Sequence, residues 1–362
     1  MEDVVDPFLL PSEDFWKNKR VFVTGNTGFK GSWLTLWLTQ LGATVKGLAL
    51  PANTNPALFN YANINDLYET SYSDIRAYES TRDSILVFRP DILIHMAAQP
   101  LVRESYKDPL ETFSTNIMGT ANILNAARDC ESVSVILVIT TDKVYENREW
   151  EWPYREDDSL GGHDPYSSSK AATELIVNSY RSSYYNELGI SISSARAGNV
   201  IGGGDWSIDR LIPDAIRAWL ERDDPLEIRK PNSRRPWQHV LDPINGYLCL
   251  IEKMWEDASL SGAYNFGPCS ERPIRVIDVI KQAQKTLGQG QIFLNEDSSS
   301  LHEATLLSLD SSKSIKNLSW YNKLSQFESI TKTVDWYNSF YKDKSRAREL
   351  CEGDISLFKK LK

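Results

Sequence analysis

The chain has 362 residues, 41% apolar and 25% charged, the balance of an ordinary folded protein long enough to bury a substantial core. A formal net charge of −9 excludes a general nucleic-acid binder, which needs a basic face. No stretch reaches the apolar length of a bilayer span and the opening MEDVVDPFLLPSEDFW is acidic where a secretory signal is basic, so a cytoplasmic protein is expected.

The first predicted strand is RVFVTG (20–25), followed by a glycine-bearing turn and an apolar helix, SWLTLWLTQLG (32–42). ATVKGLAL (43–50) is the next strand, and the Pro- and Asn-rich stretch 51–65 reads as a loop with a short helical turn. A strand ends near Asp74, a helix covers 77–88, DILIHMAA (91–98) is a strand, a long helix spans 105–129, and VSVILVITT (133–141) is a strand. Helix 166–189 leads into strand ISISSARAG (190–198). Wholly apolar strands alternating with amphipathic helices predict an α/β fold, a doubly wound parallel sheet of the Rossmann kind. Beyond residue 200 the alternation stops. GGGDW (202–206), the basic PNSRRPWQHV (231–240) and the polar GQGQIFLNEDSSS (288–300) read as a smaller C-terminal mixed α/β lobe for substrate. The expected division is 1–198 for the dinucleotide domain, with 236–258 returning to it, and 199–235 with 259–362 for the lobe. Cys130, Cys249, Cys269 and Cys351 are scattered without CxxC spacing or a histidine cluster, which predicts reduced structural thiols and no metal site.

TGNTGFKG places Gly25, Gly28 and Gly31 between the first strand and the first helix. In such a loop the first glycine permits the turn, the second lets backbone approach a pyrophosphate, and the third lets the helix pack on the sheet. The free N–H groups of the helix start then face the phosphates. The second strand ends without the acid that marks the NAD ribose, leaving Asn53 or Thr54 for that contact. No arginine stands there to hold a 2′-phosphate, which favours NAD over NADP.

Tyr166 and Lys170, four residues apart on one predicted helix, share a face. A lysine beneath a tyrosine hydroxyl favours the phenolate and makes it a usable general base. Thr140-Thr141-Asp142-Lys143 follows ILVI at the carboxyl end of a strand, where reacting groups collect in such sheets. Thr141 can orient the oxygen that Tyr166 touches, and Asp142 and Lys143 add an acid and a base that plain hydride transfer does not need.

TGNTGFKG, HMAAQ (95–99), TNIMGT (115–120), TTDKVY (140–145), YSSSK (166–170), SARAGNVIGGGDW (194–206), RRPWQHVLD (234–242) and YNFGP (264–268) occur in order. This set resembles the extended short-chain dehydrogenase/reductases that act on nucleotide-sugars, over residues 16 to 340. TTDKVYEN, GGGDW, RRPWQHV and HEATLLSLD (302–310) are most similar to the branch of sugar 4,6-dehydratases that takes CDP-glucose. The resemblance implies that Thr141, Asp142, Lys143, Tyr166 and Lys170 carry catalysis. It implies cofactor contacts from Gly25, Thr27, Gly28, Phe29, Gly31, Asp74, Ile75, Met96, Ala97, Ala98 and Thr115, besides Tyr166 and Lys170. Asp74-Ile75 would lie against the adenine. Gln99, Arg103, Asn199, Arg235 and Asn265 would hold the nucleotide-sugar, and an arginine fork at 235 suits a diphosphate. A tightly bound NAD, regenerated each turnover, and a homodimer through the helices near 105–129 and 166–189 are implied as well. The wider group has Asp-Glu where this chain has Asp142-Lys143. Lysine serves as a base there only if burial and nearby positive charge lower its pKa, which Asp142 opposes. The rival expectations are a nucleotide-sugar 4-epimerase, a decarboxylase, and a non-catalytic dinucleotide-binding regulator.

Overall fold

The computed structural model describes residues 9–268, 272–295 and 306–361. In chain order its strands are β1 (Arg20–Thr24), β2 (Thr44–Ala49), β3 (Glu69–Tyr72), β4 (Ile92–His95), β5 (Val135–Ile139), β6 (Ser191–Ala197), β7 (Asn199–Ile201) and β8 (Leu226–Ile228). There follow β9 (Arg234–Arg235), β10 (Trp237–His239), β11 (Ala263–Phe266), β12 (Ile274–Arg275) and β13 (Ile292–Leu294). Seven of them form one parallel sheet in the order β11-β6-β5-β4-β1-β2-β3. The doubly wound expectation holds. Alternate residues of each strand point to opposite faces, and both faces are covered. Val21 and Val23 of β1 join Trp33, Leu34 and Trp37 on one side. Phe22 between them joins Ile85, Ile123 and Leu124 on the other.

The chain winds β1–β2–β3 outward in one direction and β4–β5–β6 in the other. The reversal lies between β1 and β4, and a crevice opens beyond their carboxyl ends. Three short ladders, β7 with β10, β8 with β13 and β9 with β12, lie outside the sheet.

Some boundaries differ from expectation. The helix expected over 105–129 is broken: Val102–Lys107 ends at Asp108, and Pro109–Phe113, Ser114–Met118 and Gly119–Arg128 continue. Pro109 has no N–H to continue the first helix, and Asp108 caps the second by accepting from Glu111 N at 2.9 Å. Two stretches expected in the substrate lobe instead join the seven-stranded sheet or a helix that covers it. β11 is the sheet's seventh strand, carrying the chain's return past residue 258. Helix Ala347–Lys360 packs on helix Phe29–Gln40, with the Trp37 and Phe358 rings edge to face at 5.8 Å. Apolar faces at the chain's end are best buried on the nearest large core, a contact that sequence order does not encode. Of the polar segment 288–300, Ile292–Leu294 forms β13 and residues 296–300 lie outside the described residues. The motif 302–310 is described from residue 306 on, and Cys269 is outside. Cys130, Cys249 and Cys351 are buried and free. Among the described residues no helix is long and apolar enough to cross a membrane, and no cluster could hold a metal ion.

Candidate active site

The glycine loop sits at the sheet's reversal point. Gly25 ends β1 with φ +74°, and a Cβ there would lie 2.7 Å from Ala97 N. Only glycine allows β1 and β4 to part so closely. Thr24 Oγ1 ties the same place together by accepting from Met96 N and Ala97 N, each at 3.1 Å. A Cβ on Gly31 would lie 2.2 Å from Gly25 O, so the helix start rests directly on the turn. Gly28 caps helix Phe29–Gln40 without a side-chain bond, leaving the N-terminal amides open. Thr27 holds the loop by donating to Leu50 O at 2.8 Å.

These features fit a dinucleotide. The cradle is too narrow for side chains at Gly25 and Gly31, the open amides suit a pyrophosphate, and Thr115 Oγ1 is buried with no partner among the described residues. Met96, Ala97 and Ala98 follow β4 into the crevice, all partly exposed. Asp74 follows β3 and its carboxylate is held below the usual range by hydrogen bonds from Arg76. Arg76 also pairs with Glu111, so it is already engaged by two acids. Ile75 differs from expectation in that its side chain is buried in the core, against Gly119.

The reacting groups converge beyond β5. Asp164 caps helix Pro165–Tyr180 and Pro165 occupies its first position, so Tyr166 and Lys170 project from a rigid first turn. Both are nearly buried, at 8% and 6% exposure. Burial pushes the Tyr166 phenol up to about 12, against the opposing hydrogen bond of Thr141 and the charge of Arg210. Burial pushes Lys170 down to about 8, against Glu174, and its Nζ donates to Ile139 O at 3.3 Å. Desolvation thus outweighs the charge that favours the phenolate, and the cation seen opposing it is Arg210.

Thr141 caps the turn Asp142–Val144 and donates from Oγ1 to Asp142 Oδ1 at 2.9 Å. Asp142 is 1% exposed, and its second oxygen has no partner among the described residues. That oxygen faces Gly198 at the end of β6, where a Cβ would lie 3.3 Å away. Lys143 departs from expectation. Its side chain is 35% exposed and its Nζ lies 3.5 Å from Asp142 Oδ1, so the burial on which a basic role was to rest is only partial.

The residues expected to hold the nucleotide-sugar divide. Asn199 is in β7 and Arg235 in β9, both partly exposed. Arg103 pairs with Asp209 at 2.9 Å. The Gln99 side chain is spent on its own loop, donating to Thr112 Oγ1 at 2.8 Å and accepting from Leu101 N at 2.6 Å. Asn265 is fully buried, its amide bonded to Tyr145, Tyr154 O and Asp310 O, so a structural role replaces the expected sugar contact.

Sequence reasoning passed over Lys30. It lies in the first turn of helix Phe29–Gln40, and burial together with Arg210 and Lys170 lowers its pKa to about 8, against Asp142 and Asp205. The signal was present, because a cation in a helix's first turn opposes the macrodipole and calls for an anion. Arg210, which acts on both Lys30 and Tyr166 and lies 3.6 Å from Asp205, gave no local pattern.

Residues 22–333 match the family model described as GDP-mannose 4,6 dehydratase. The chain is 46% identical over 334 residues to CDP-glucose 4,6-dehydratase of Salmonella typhimurium, covering 91% of this chain and 93% of that one. It is 26% identical over 324 residues to dTDP-glucose 4,6-dehydratase of Mycolicibacterium smegmatis, covering 88% and 93%. A crystal structure of a UDP-galactose 4-epimerase superposes with TM-score 0.73 at 25% identity over 87% of this chain and 97% of that one. The Thermus thermophilus UDP-glucose 4-epimerase in complex with NAD superposes with TM-score 0.76 at 24% identity, covering 88% and 98%.

Proposed function

Because the chain belongs to the GDP-mannose 4,6 dehydratase family, we propose that it removes water from a nucleoside-diphosphate glucose, CDP-glucose in particular, with a tightly held NAD. The observation that carries this reading is Asp142, 1% exposed with one oxygen unpartnered, next to Thr141 and Lys143 at the sheet's carboxyl edge. An epimerase on this fold needs Thr141, Tyr166 and Lys170 but has no use for a second acid. The 46% identity to CDP-glucose 4,6-dehydratase supports the substrate.

Gly25, Gly28 and Gly31 with the amides of Phe29 and Lys30 would hold the pyrophosphate, and Met96, Ala97, Ala98 and Thr115 the nicotinamide side. Arg76, already paired with Asp74 and Glu111, is not left for a 2′-phosphate, which supports NAD over NADP. When bound, NAD supplies a positive ring charge and a two-electron acceptor that takes the hydrogen of sugar C4 and gives it back at C6. Tyr166 removes the O4 proton, and Thr141 orients that oxygen. With its phenol at about 12, Tyr166 needs cationic charge to act as a base; Arg210 already supplies some, and Lys170, one helical turn on, is proposed to add to it. The C4 ketone acidifies the C5 proton. Lys143 takes it while Asp142 protonates O6, which leaves as water, and C5 is reprotonated to give a 4-keto-6-deoxy sugar. Substrate covering the crevice would strip water from Lys143 and supply the desolvation that the structure gives it only in part.

Asn199, Arg103 and Arg235 are proposed to face the diphosphate, with residues 199–235 forming the near wall of the nucleotide-sugar lobe. A homodimer through the helices of 102–128 and 165–188 is supported by the apolar side chains they expose, Leu110, Met118, Leu175 and Leu188. Buried free thiols at Cys130, Cys249 and Cys351 accord with a reducing, cytoplasmic setting. The deciding experiment incubates the enzyme with CDP-, dTDP-, UDP- and GDP-glucose and weighs the products. Loss of one water from the CDP sugar is expected, and an isomer of unchanged mass would refute the dehydratase reading.

A further inference from the structure

Behind the reacting groups runs a buried chain of polar side chains that the steps above do not use. Glu174, one helical turn beyond Lys170, pairs with Arg196 of β6 through Nη2–Oε2 at 2.9 Å and Nε–Oε1 at 3.0 Å, both side chains no more than 4% exposed. Burial works against the Glu174 carboxylate, but Arg196 and the hydroxyls of Ser194 and Thr140 hold it below the usual range. Those hydroxyls donate at 2.6 and 2.5 Å. The other arm of Arg196 donates to Tyr145 Oη at 2.7 Å and to Glu156 O at 3.0 Å. Tyr145 donates in turn to Asn265 Oδ1 at 2.7 Å.

The two ends of this chain grip the same short segment. Thr140 immediately precedes Thr141, and Tyr145 immediately follows the turn Asp142–Val144. Glu174 therefore holds one flank of the turn and Arg196 the other, each from a rigid element: helix Pro165–Tyr180 and β6. Tyr166 and Lys170 share the helix of Glu174, but Asp164 and Pro165 fix its first turn without the grip. Two buried charges are costly to desolvate, and here they are repaid by a fully bonded arrangement that fixes two flanks at once.

We propose that the Glu174–Arg196 pair with Tyr145 is a positioning clamp, which sets Asp142 and Lys143 against sugar C5 and C6 and so governs water loss separately from oxidation at C4. The proposal rests on the dehydratase reading above. Its test uses Tyr145→Phe and Thr140→Val, each removing one grip at nearly constant volume, as holoenzymes in single-turnover reactions with CDP-glucose. Absorbance of the reduced nicotinamide reports oxidation at C4, and product mass reports water loss. The clamp predicts water loss slowed at least about tenfold, since a misplacement of about 1 Å costs on that scale or more. C4 oxidation should change less than about threefold, so reduced cofactor accumulates during turnover. A merely structural role would lower both rates by one common factor or leave both unchanged, and either result in both variants overturns the clamp. A wild-type enzyme that oxidises C4 without losing water would overturn the dehydratase reading instead.

Discussion

Asp242 begins helix Leu241–Glu256, buried entirely, and burial pushes its carboxyl up to about 8 despite backbone N–H groups from Lys323 and Leu324. Lys323 N donates to Oδ1 at 2.6 Å, and Oδ2 has no partner among the described residues. An unfolded aspartate titrates near 3.8, so between there and about 8 the folded chain keeps a proton that the unfolded chain has lost. The resulting contribution to stability is fully present below the unfolded value and is lost as pH rises through the folded one. Its slope approaches about 1.4 kcal/mol per pH unit, so from about pH 5 to about pH 7 the wild type gives up roughly 1–3 kcal/mol at this group. Asp242→Asn keeps an oxygen for Lys323 N–H and carries no charge at any pH. Urea unfolding of both proteins at the two pH values isolates the effect, because every other ionisable group is common to both. The variant should gain roughly 1–3 kcal/mol on the wild type between about pH 5 and about pH 7. A stability difference that is the same at both pH values, or that moves against the variant, would refute a protonated Asp242 in the folded protein.

Asp142→Asn removes the proposed acid without changing shape, and dehydration should slow by about 10²–10⁴-fold while nucleotide-sugar affinity, read by calorimetry, stays within a few-fold. Tyr166→Phe should slow C4 oxidation itself by about 10²–10⁴-fold, so reduced cofactor never appears, in contrast to Asp142→Asn, where it accumulates. Gly31→Ala puts a methyl 2.2 Å from Gly25 O and forces the cradle open. At the roughly 1–3 kcal/mol typical of overpacking, NAD affinity measured by fluorescence titration should fall about 5- to 150-fold, with CDP-glucose affinity little changed.

What was legible in the sequence was local. Gly25, Gly31, Tyr166 and Lys170 lie where spacing placed them, because a βα turn and a four-residue helical interval are set within a few residues. The Asp108-Pro109 break was equally local and was there to be read. Asn265 shows what local pattern cannot carry. Its partners Tyr145 and Tyr154 lie 120 and 111 residues away, and only the assembled fold reveals that its amide is already spent. The same holds for β11 and the C-terminal helix, whose places depend on which core surface was left uncovered.

The lysines carry the argument furthest. Burial has brought Lys30 and Lys170 to about 8, while Lys143, the proposed C5 base, remains a third exposed beside Asp142. Lys30 lies near Asp142 without sharing its turn, Lys170 is buried on the helix beside that turn, and Lys143 shares the turn with its side chain a third exposed. With Lys143 as the proposed base, proton removal at C5 would depend on what covers it. On the proposed reading the covering group is the substrate itself, so the base would be made competent only when the sugar it must act on has arrived.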